Sequence, residues 1–138
     1  MFLLDTNVIS ELRRPEKANR DVLAWAKATP AAGFFLSVIT ILEIELGTLL
    51  VARRDKAQGT VLRKWIEEQI LPSFEGRILA IDTAVARRCA ALHVPNPRSE
   101  RDALIAATAL VHALTVVTRD ISQFEAAGVD VLNPWARP

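Results

Sequence analysis

Apolar positions along the chain form two kinds of run. Short blocks without alternation, namely Phe2-Leu3-Leu4, Phe34-Phe35-Leu36-Ser37, Ile78-Leu79-Ala80-Ile81, Thr115-Val116-Val117-Thr118 and Val129-Asp130-Val131-Leu132, predict strands buried on both faces. Between them, Asp21 to Ala28 places Val22, Leu23, Trp25 and Ala26 at i, i+3 and i+4, and Thr60 to Ile70 does the same with Val61, Leu62, Trp65, Ile66 and Ile70. That period predicts amphipathic helices. Strands alternating with helices predict an α/β fold, a three-layer sandwich on a mainly parallel central sheet of about five strands. The prolines are scattered and no repeat or flexible linker interrupts the pattern, so residues 1–138 are expected to form a single domain.

Open parallel sheets bind ligands beyond the carboxyl ends of their strands. Acids stand at those ends: Asp5 follows the first block, Asp82 the third, and Asp120 comes two residues after the fourth. Two more fall in early helical turns, Glu43 after Phe34–Ser37 and Asp102 ahead of the apolar run Ala103–Leu114. Each acid also has a structural reading. Thr40-Ile41-Leu42-Glu43 and Ser99-Glu100-Arg101-Asp102 match the capping-box pattern, and Asp5 and Asp82 suit N-caps. For Asp82 the capping reading is kept.

Glu43 and Asp102 are flanked by apolar residues, which an exposed cap does not require, so both are expected to face or border the core. Several carboxylates within a few ångströms raise one another's pKa values unless a cation holds them. With one cysteine and two scattered histidines, His93 and His112, the ligands would be oxygens, which favours Mg²⁺ or Mn²⁺ over zinc. Waters retained by such an ion are nucleophiles suited to phosphodiester hydrolysis.

Four ordered blocks, Leu4-Asp5-Thr6-Asn7-Val8-Ile9-Ser10-Glu11, Leu42-Glu43-Ile44-Glu45-Leu46-Gly47, Asp102-Ala103-Leu104-Ile105-Ala106-Ala107-Thr108-Ala109 and Val117-Thr118-Arg119-Asp120, resemble the PIN-domain ribonucleases, more narrowly the VapC-type toxins of bacterial toxin–antitoxin pairs. Ile70-Leu71-Pro72, Gly76-Arg77-Ile78-Leu79 and Asn133-Pro134-Trp135 are similar to the FitB-like branch. The resemblance implies metal-dependent endonucleolytic cleavage of RNA by an acidic quartet that falls on Asp5, Glu43, Asp102 and Asp120. It implies Asp5 and Asp102 as direct ligands of a first Mg²⁺, Glu43 as orienting the attacking water directly or through the metal, and Asp120 as completing the site or holding a second ion. Thr6, Asn7 and Thr118 match polar positions that line such sites, although Asn7 and Thr118 also suit ordinary turn chemistry. A homodimer and a cognate VapB-type antitoxin are implied as well, with DNA bound only through the antitoxin complex. Where the family often has a less charged loop, Asp102 is preceded by Pro97-Arg98-Ser99-Glu100-Arg101, so substrate entry is expected to differ there.

Charge sharpens the picture only after those acids are set aside. The whole chain has 17 basic and 16 acidic side chains; without the quartet 17 face 12, a balance of about +5 that suits a phosphate backbone. Arg98, Arg101 and Arg119 lie nearest the acids in sequence and are the expected phosphate contacts. Arg53, Arg54, Lys56, Arg63 and Lys64 form the densest basic stretch, which reads equally well as a solvated helix face. With no tyrosine and few aromatics, no base-stacking platform is expected, and Trp25, Trp65, Leu46, Leu49 and Leu50 are assigned to core packing by default, with a partner-facing surface as the alternative for some of them. Glu45 is placed on the surface or against a partner. Cys89 reads as a small buried apolar residue with no histidine positioned beside it by local sequence.

The longest charge-free runs, Ala28–Leu42 and Ala103–Thr118, are shorter than the roughly 18–20 residues a membrane span needs. The N-terminus lacks a basic flank and meets Asp5 early, so no signal peptide is expected; with a single cysteine, the expected compartment is the cytoplasm. Two rival functions stay open. A haloacid-dehalogenase-like phosphatase needs a second Asp two positions after the first, where this chain has Asn7. A catalytically weak PIN-fold module that only binds RNA or antitoxin would not need the intact quartet.

Overall fold

The computed structural model describes residues 1–136. Five parallel strands, β1 (Phe2–Leu4), β2 (Phe34–Ser37), β3 (Ile78–Leu79), β4 (Thr115–Val117) and β5 (Val131–Leu132), form one sheet in the order β3-β2-β1-β4-β5. The two edge strands are shorter than their apolar blocks. Each has one neighbour, so only Ile78–Leu79, opposite Leu36–Ser37, and Val131–Leu132, opposite Val116–Val117, enter the ladder.

Successive strand residues point to opposite faces, and helices cover both. One apolar layer joins Leu4, Phe34, Leu36 and Val117 to α1 (Thr6–Leu12), α2 (Arg20–Ala28), α3 (Val38–Arg54), α4 (Lys56–Trp65) and the wide helical turn Ile66–Ile70 that leads into α5 (Leu71–Ser73). The other joins Leu3 and Val116 to the start of α3, to α7 (Glu100–His112) and to α8 (Ile121–Glu125), while α6 (Thr83–Leu92) packs on α7 through Val85 and Cys89. Burial on both faces is why the strands carry no hydrophobic alternation. Among the described residues no helix is long and apolar enough to cross a membrane.

Three sequence expectations change. The capping box at Thr40–Glu43 does not form, because α3 starts earlier: Ser37 is its N-cap, its Oγ accepting from Ile39 N–H at 3.0 Å. Thr40 and Glu43 therefore lie inside the helix, and the Glu43 carboxylate is free of backbone duty. The second helix begins at Lys56, not Thr60, since Asp55 Oδ1 accepts from Gln58 N–H at 3.1 Å and caps it. Leu46, Leu49 and Leu50 leave the core; with Leu42 they line the exposed face of α3 at 38–53% exposure. A 17-residue helix packed by one face on the sheet cannot bury leucines on its outer face. Trp25 does pack inward, against the rings of Phe2 and Phe34 at 5.4 Å, and Asp82 caps α6 through Val85 N–H at 3.0 Å.

Candidate active site

The chain winds β1-β2-β3 in one direction and resumes with β4 on the other side of β1, so the carboxyl ends of β1 and β4 flank the point where strand order reverses. Asp5 leaves the end of β1 and Thr118 the end of β4. Their side chains meet there: Thr118 Oγ1 donates to Asp5 Oδ2 at 2.7 Å and accepts from Asp120 N–H at 3.0 Å and Asn7 Nδ2 at 3.2 Å. Asp5 Oδ1 accepts from Thr6 N–H at 2.8 Å, so the capping and site readings of this residue hold together.

Glu43 approaches from α3. Thr6 Oγ1 donates to its Oε1 at 2.6 Å, and Arg101 stands 3.8 Å from its Oε2. Asp102 approaches from the first turn of α7. Asp120 occupies the N-cap position of α8 without a side-chain capping bond, which leaves its carboxylate to the cavity. Asp5, Glu43, Asp102 and Asp120 line one open cavity of 520 Å³, with Thr6, Asn7 and Arg119.

The acids influence one another. Burial raises the Asp5 pKa from 3.8 to about 6; bonds from Thr118 and Thr6 oppose the rise, and the charges of Asp102 and Glu43 add to it. Burial also raises Asp102, with Glu43 and Asp120 contributing and the Ser99 side chain opposing. The site thus concentrates more negative charge than its burial favours, which protonation or a bound cation would relieve.

All donors are oxygens, which suits a hard divalent ion. Among the described residues, the set of three ligating side chains whose donor atoms close to within 4.8 Å of one another is Cys89, His93 and Glu100. The quartet is more open, as expected of Mg²⁺, which keeps waters and takes one or two carboxylates directly. The residues therefore fit hydrated Mg²⁺ or Mn²⁺. Cys89 corrects the sequence reading in one respect: one helical turn brings His93 Nε2 to 3.8 Å from its Sγ. His93 Nδ1 accepts from Arg98 N–H at 3.1 Å, so the ring proton sits on Nε2, which leaves that nitrogen unable to ligate a metal. Burial and the Glu100 charge raise the Cys89 thiol pKa, so it remains an inert apolar side chain.

The three expected phosphate contacts separate. Arg119 lines the cavity, its guanidinium 5.2 Å from the Trp135 ring centroid. Arg101 reaches the cavity edge through Glu43. Arg98 turns away: its Nε donates to Leu92 O and its Nη2 to Ala126 O, both at 2.8 Å, tying the 93–99 loop to the turn after α8. Nearness in sequence to Asp102 does not bring it to the cavity, because Arg98 lies in the loop before α7 and its guanidinium is engaged by those two carbonyls.

Sequence reasoning assigned no site role to Ser10, Glu11 or Trp135, which also line the cavity. Trp135 was findable, since it follows the end of β5 as Asp120 follows β4. Ser10 and Glu11 lie four residues, about one turn, along α1 from the lining residues Thr6 and Asn7, and a helical reading of that segment would have placed them.

The PIN domain profile matches residues 2–129. The chain is 45% identical to Toxin FitB of Neisseria gonorrhoeae over 141 residues, covering 98% of this chain and 99% of that protein. It is 41% identical to VapC ribonuclease Y4jK of Sinorhizobium fredii over 140 residues, covering 98% of each. The solved structure of FitAB bound to an IR36 DNA fragment superimposes with a TM-score of 0.89 at 42% identity, covering 100% of this chain and 98% of that one.

Proposed function

This chain belongs to the PIN-domain family, and from that premise we propose that it is the toxin of a toxin–antitoxin pair, an endoribonuclease that hydrolyses RNA phosphodiester bonds with Mg²⁺ or Mn²⁺. The observation that carries the reading is the convergence of Asp5, Glu43, Asp102 and Asp120 on one open cavity at the sheet's switch point.

Asp5 and Asp102, whose pKa values are raised by burial, are the direct ligands. An ion held there would supply Lewis-acid polarisation of the phosphate and a water of lowered pKa. Glu43, fixed by the Thr6 hydroxyl, orients the attacking water and receives its proton. Asp120 completes the acidic rim, and Thr118 and Asn7 hold Asp5 in register with it. Arg119 and Arg101 steer the RNA backbone to the rim; Arg98 has no part in that role.

The assembly follows from the family. A cognate VapB-type antitoxin covers the site, DNA is bound only by the toxin–antitoxin complex, and two copies of this chain form a homodimer in the cytoplasm. Support comes from the FitAB relative bound to DNA and from the exposed leucine face of α3, apolar surface that a monomer has no use for.

The test is cleavage of a mixed single-stranded and structured RNA pool by antitoxin-free protein with Mg²⁺, Mn²⁺ or EDTA, beside Asp102→Asn. Cutting that requires both metal and Asp102 is expected. Folded, metal-binding protein that cuts nothing would instead favour the module that only binds RNA or antitoxin.

A further inference from the structure

Two glycines in the α3–α4 hairpin have opposite surroundings. A Cβ on Gly59 would stand 2.5 Å from Ala52 Cβ and 2.7 Å from Ala52 Cα, so close packing of the two helices demands glycine there. A Cβ on Gly47 would meet nothing within 4 Å. Glycine is the poorest helix former after proline, yet Gly47 lies in the interior of a 17-residue helix. A local rule broken without a packing reason points to function.

What Gly47 leaves open is a groove of 240 Å³. Thr6 and Ser10 of α1 and its C-cap Arg13 line one side at helical spacing, Glu43, Gly47 and Val51 of α3 line the other, and Trp65 lines it as well. Thr6, Ser10 and Glu43 also line the acidic cavity, so the two spaces adjoin, with the Thr6–Glu43 hydrogen bond at their boundary. Arg13 and Trp65 also border a further depression, where Arg13 and Lys64 face the single acid Glu68, so cations outnumber acids there. Trp65 packs on the core but is only partly buried, and this changes the expectation that it serves the core alone.

Resting on the nuclease reading above, we infer that this groove is a nucleobase subsite, which takes one unpaired base of the RNA directly beside the scissile phosphate. An aromatic side chain, apolar lining and nearby cations are elements by which proteins hold single-stranded nucleic acid. The adjoining acidic cavity and the excess of cations at Arg13 and Lys64 favour RNA over an apolar protein side chain.

The test uses the full chain with Mg²⁺ and a randomised single-stranded RNA pool, sequencing the cut ends for wild type and Gly47→Leu. Leucine favours the helix and meets no neighbour at its Cβ, so folding is retained and is checked by thermal melting. Wild type should show a base preference at one position flanking the cut, and Gly47→Leu should reduce that preference at least tenfold. An unchanged preference in a variant that still cuts overturns the subsite and assigns the groove to a protein partner. So does wild-type cutting with no preference at any flanking position. If folded Gly47→Leu cuts nothing, RNA binding decides: Gly47→Leu/Asp102→Asn binding the pool as tightly as Asp102→Asn alone also overturns it, and weaker binding supports it. Wild type that cuts no RNA is a separate failure, that of the nuclease reading itself.

Discussion

Thr118 Oγ1 lies 2.7 Å from Asp5 Oδ2, joining residues 113 positions apart at the ends of adjacent strands. The hydroxyl is fully buried and the carboxylate 6% exposed. One hydroxyl therefore orients the deepest acid of the site, and through Asp120 N–H and Asn7 Nδ2 it also fixes the two segments beside that acid.

Removing that hydroxyl should be costly. Thr118→Val removes the acceptor of Asp120 N–H, one of two acceptors of Asn7 Nδ2 and the shortest bond to Asp5, a loss of about 1–3 kcal/mol of stability. The Asp5 pKa rises further because a bond that lowers it is gone. Metal affinity by calorimetry should fall about 10–100-fold. Thr118→Ser keeps the hydroxyl and should recover most of both.

Asp5 makes stability depend on pH. Its folded pKa, about 6, exceeds its ordinary value of 3.8, so the folded chain binds the extra proton between those values. Stability contributed by the protonated form is complete below pH 4 and is lost as pH rises through 6, on the order of 2–3 kcal/mol for this group. In EDTA, Asp5→Asn should thus be more stable than wild type at pH 7 and indistinguishable from it on this account near pH 4. Urea titrations at the two pH values read the difference; equal stabilities at pH 7 would refute it.

The two hairpin glycines should respond in opposite directions. Gly59→Ala drives a methyl into Ala52 and should destabilise by about 1–3 kcal/mol. Gly47→Ala should stabilise by about 0.5–1 kcal/mol, as at any unhindered helical glycine. Paired denaturation curves check both signs.

Arg98 and Arg119 should separate stability from RNA affinity. Arg98→Ala frees the carbonyls of Leu92 and Ala126 and should lower the melting temperature without altering the salt dependence of RNA binding. Arg119→Ala should leave melting nearly unchanged and reduce the slope of log affinity against log salt by about 1.

Much of this protein is legible from its chain. Unbroken apolar blocks announce strands buried on both faces, and helical spacing at Trp25 and Trp65 announces the layers, because both patterns reflect local geometry. The quartet is legible for a related reason. A parallel sheet sends its strand ends to one rim, which makes the acids that follow them candidates; Asp82 follows a strand too but caps α6, and the resemblance to the family is what singles out Asp5, Glu43, Asp102 and Asp120.

Residues whose role depends on the rotation of a helix are another matter. Whether Glu43 caps α3 or enters the cavity turns on a start at Val38, which Ser37 sets and which a Thr-to-Glu pattern cannot reveal. Arg98 and Arg101 differ by three positions, yet one binds backbone carbonyls and the other approaches Glu43. Gly47 and Gly59 are indistinguishable as letters, and only the crossing of α3 over α4 makes one a packing necessity and the other an open wall. Periodicity fixes which elements form and which face is apolar; relative rotation and approach are decided by packing among elements far apart in sequence.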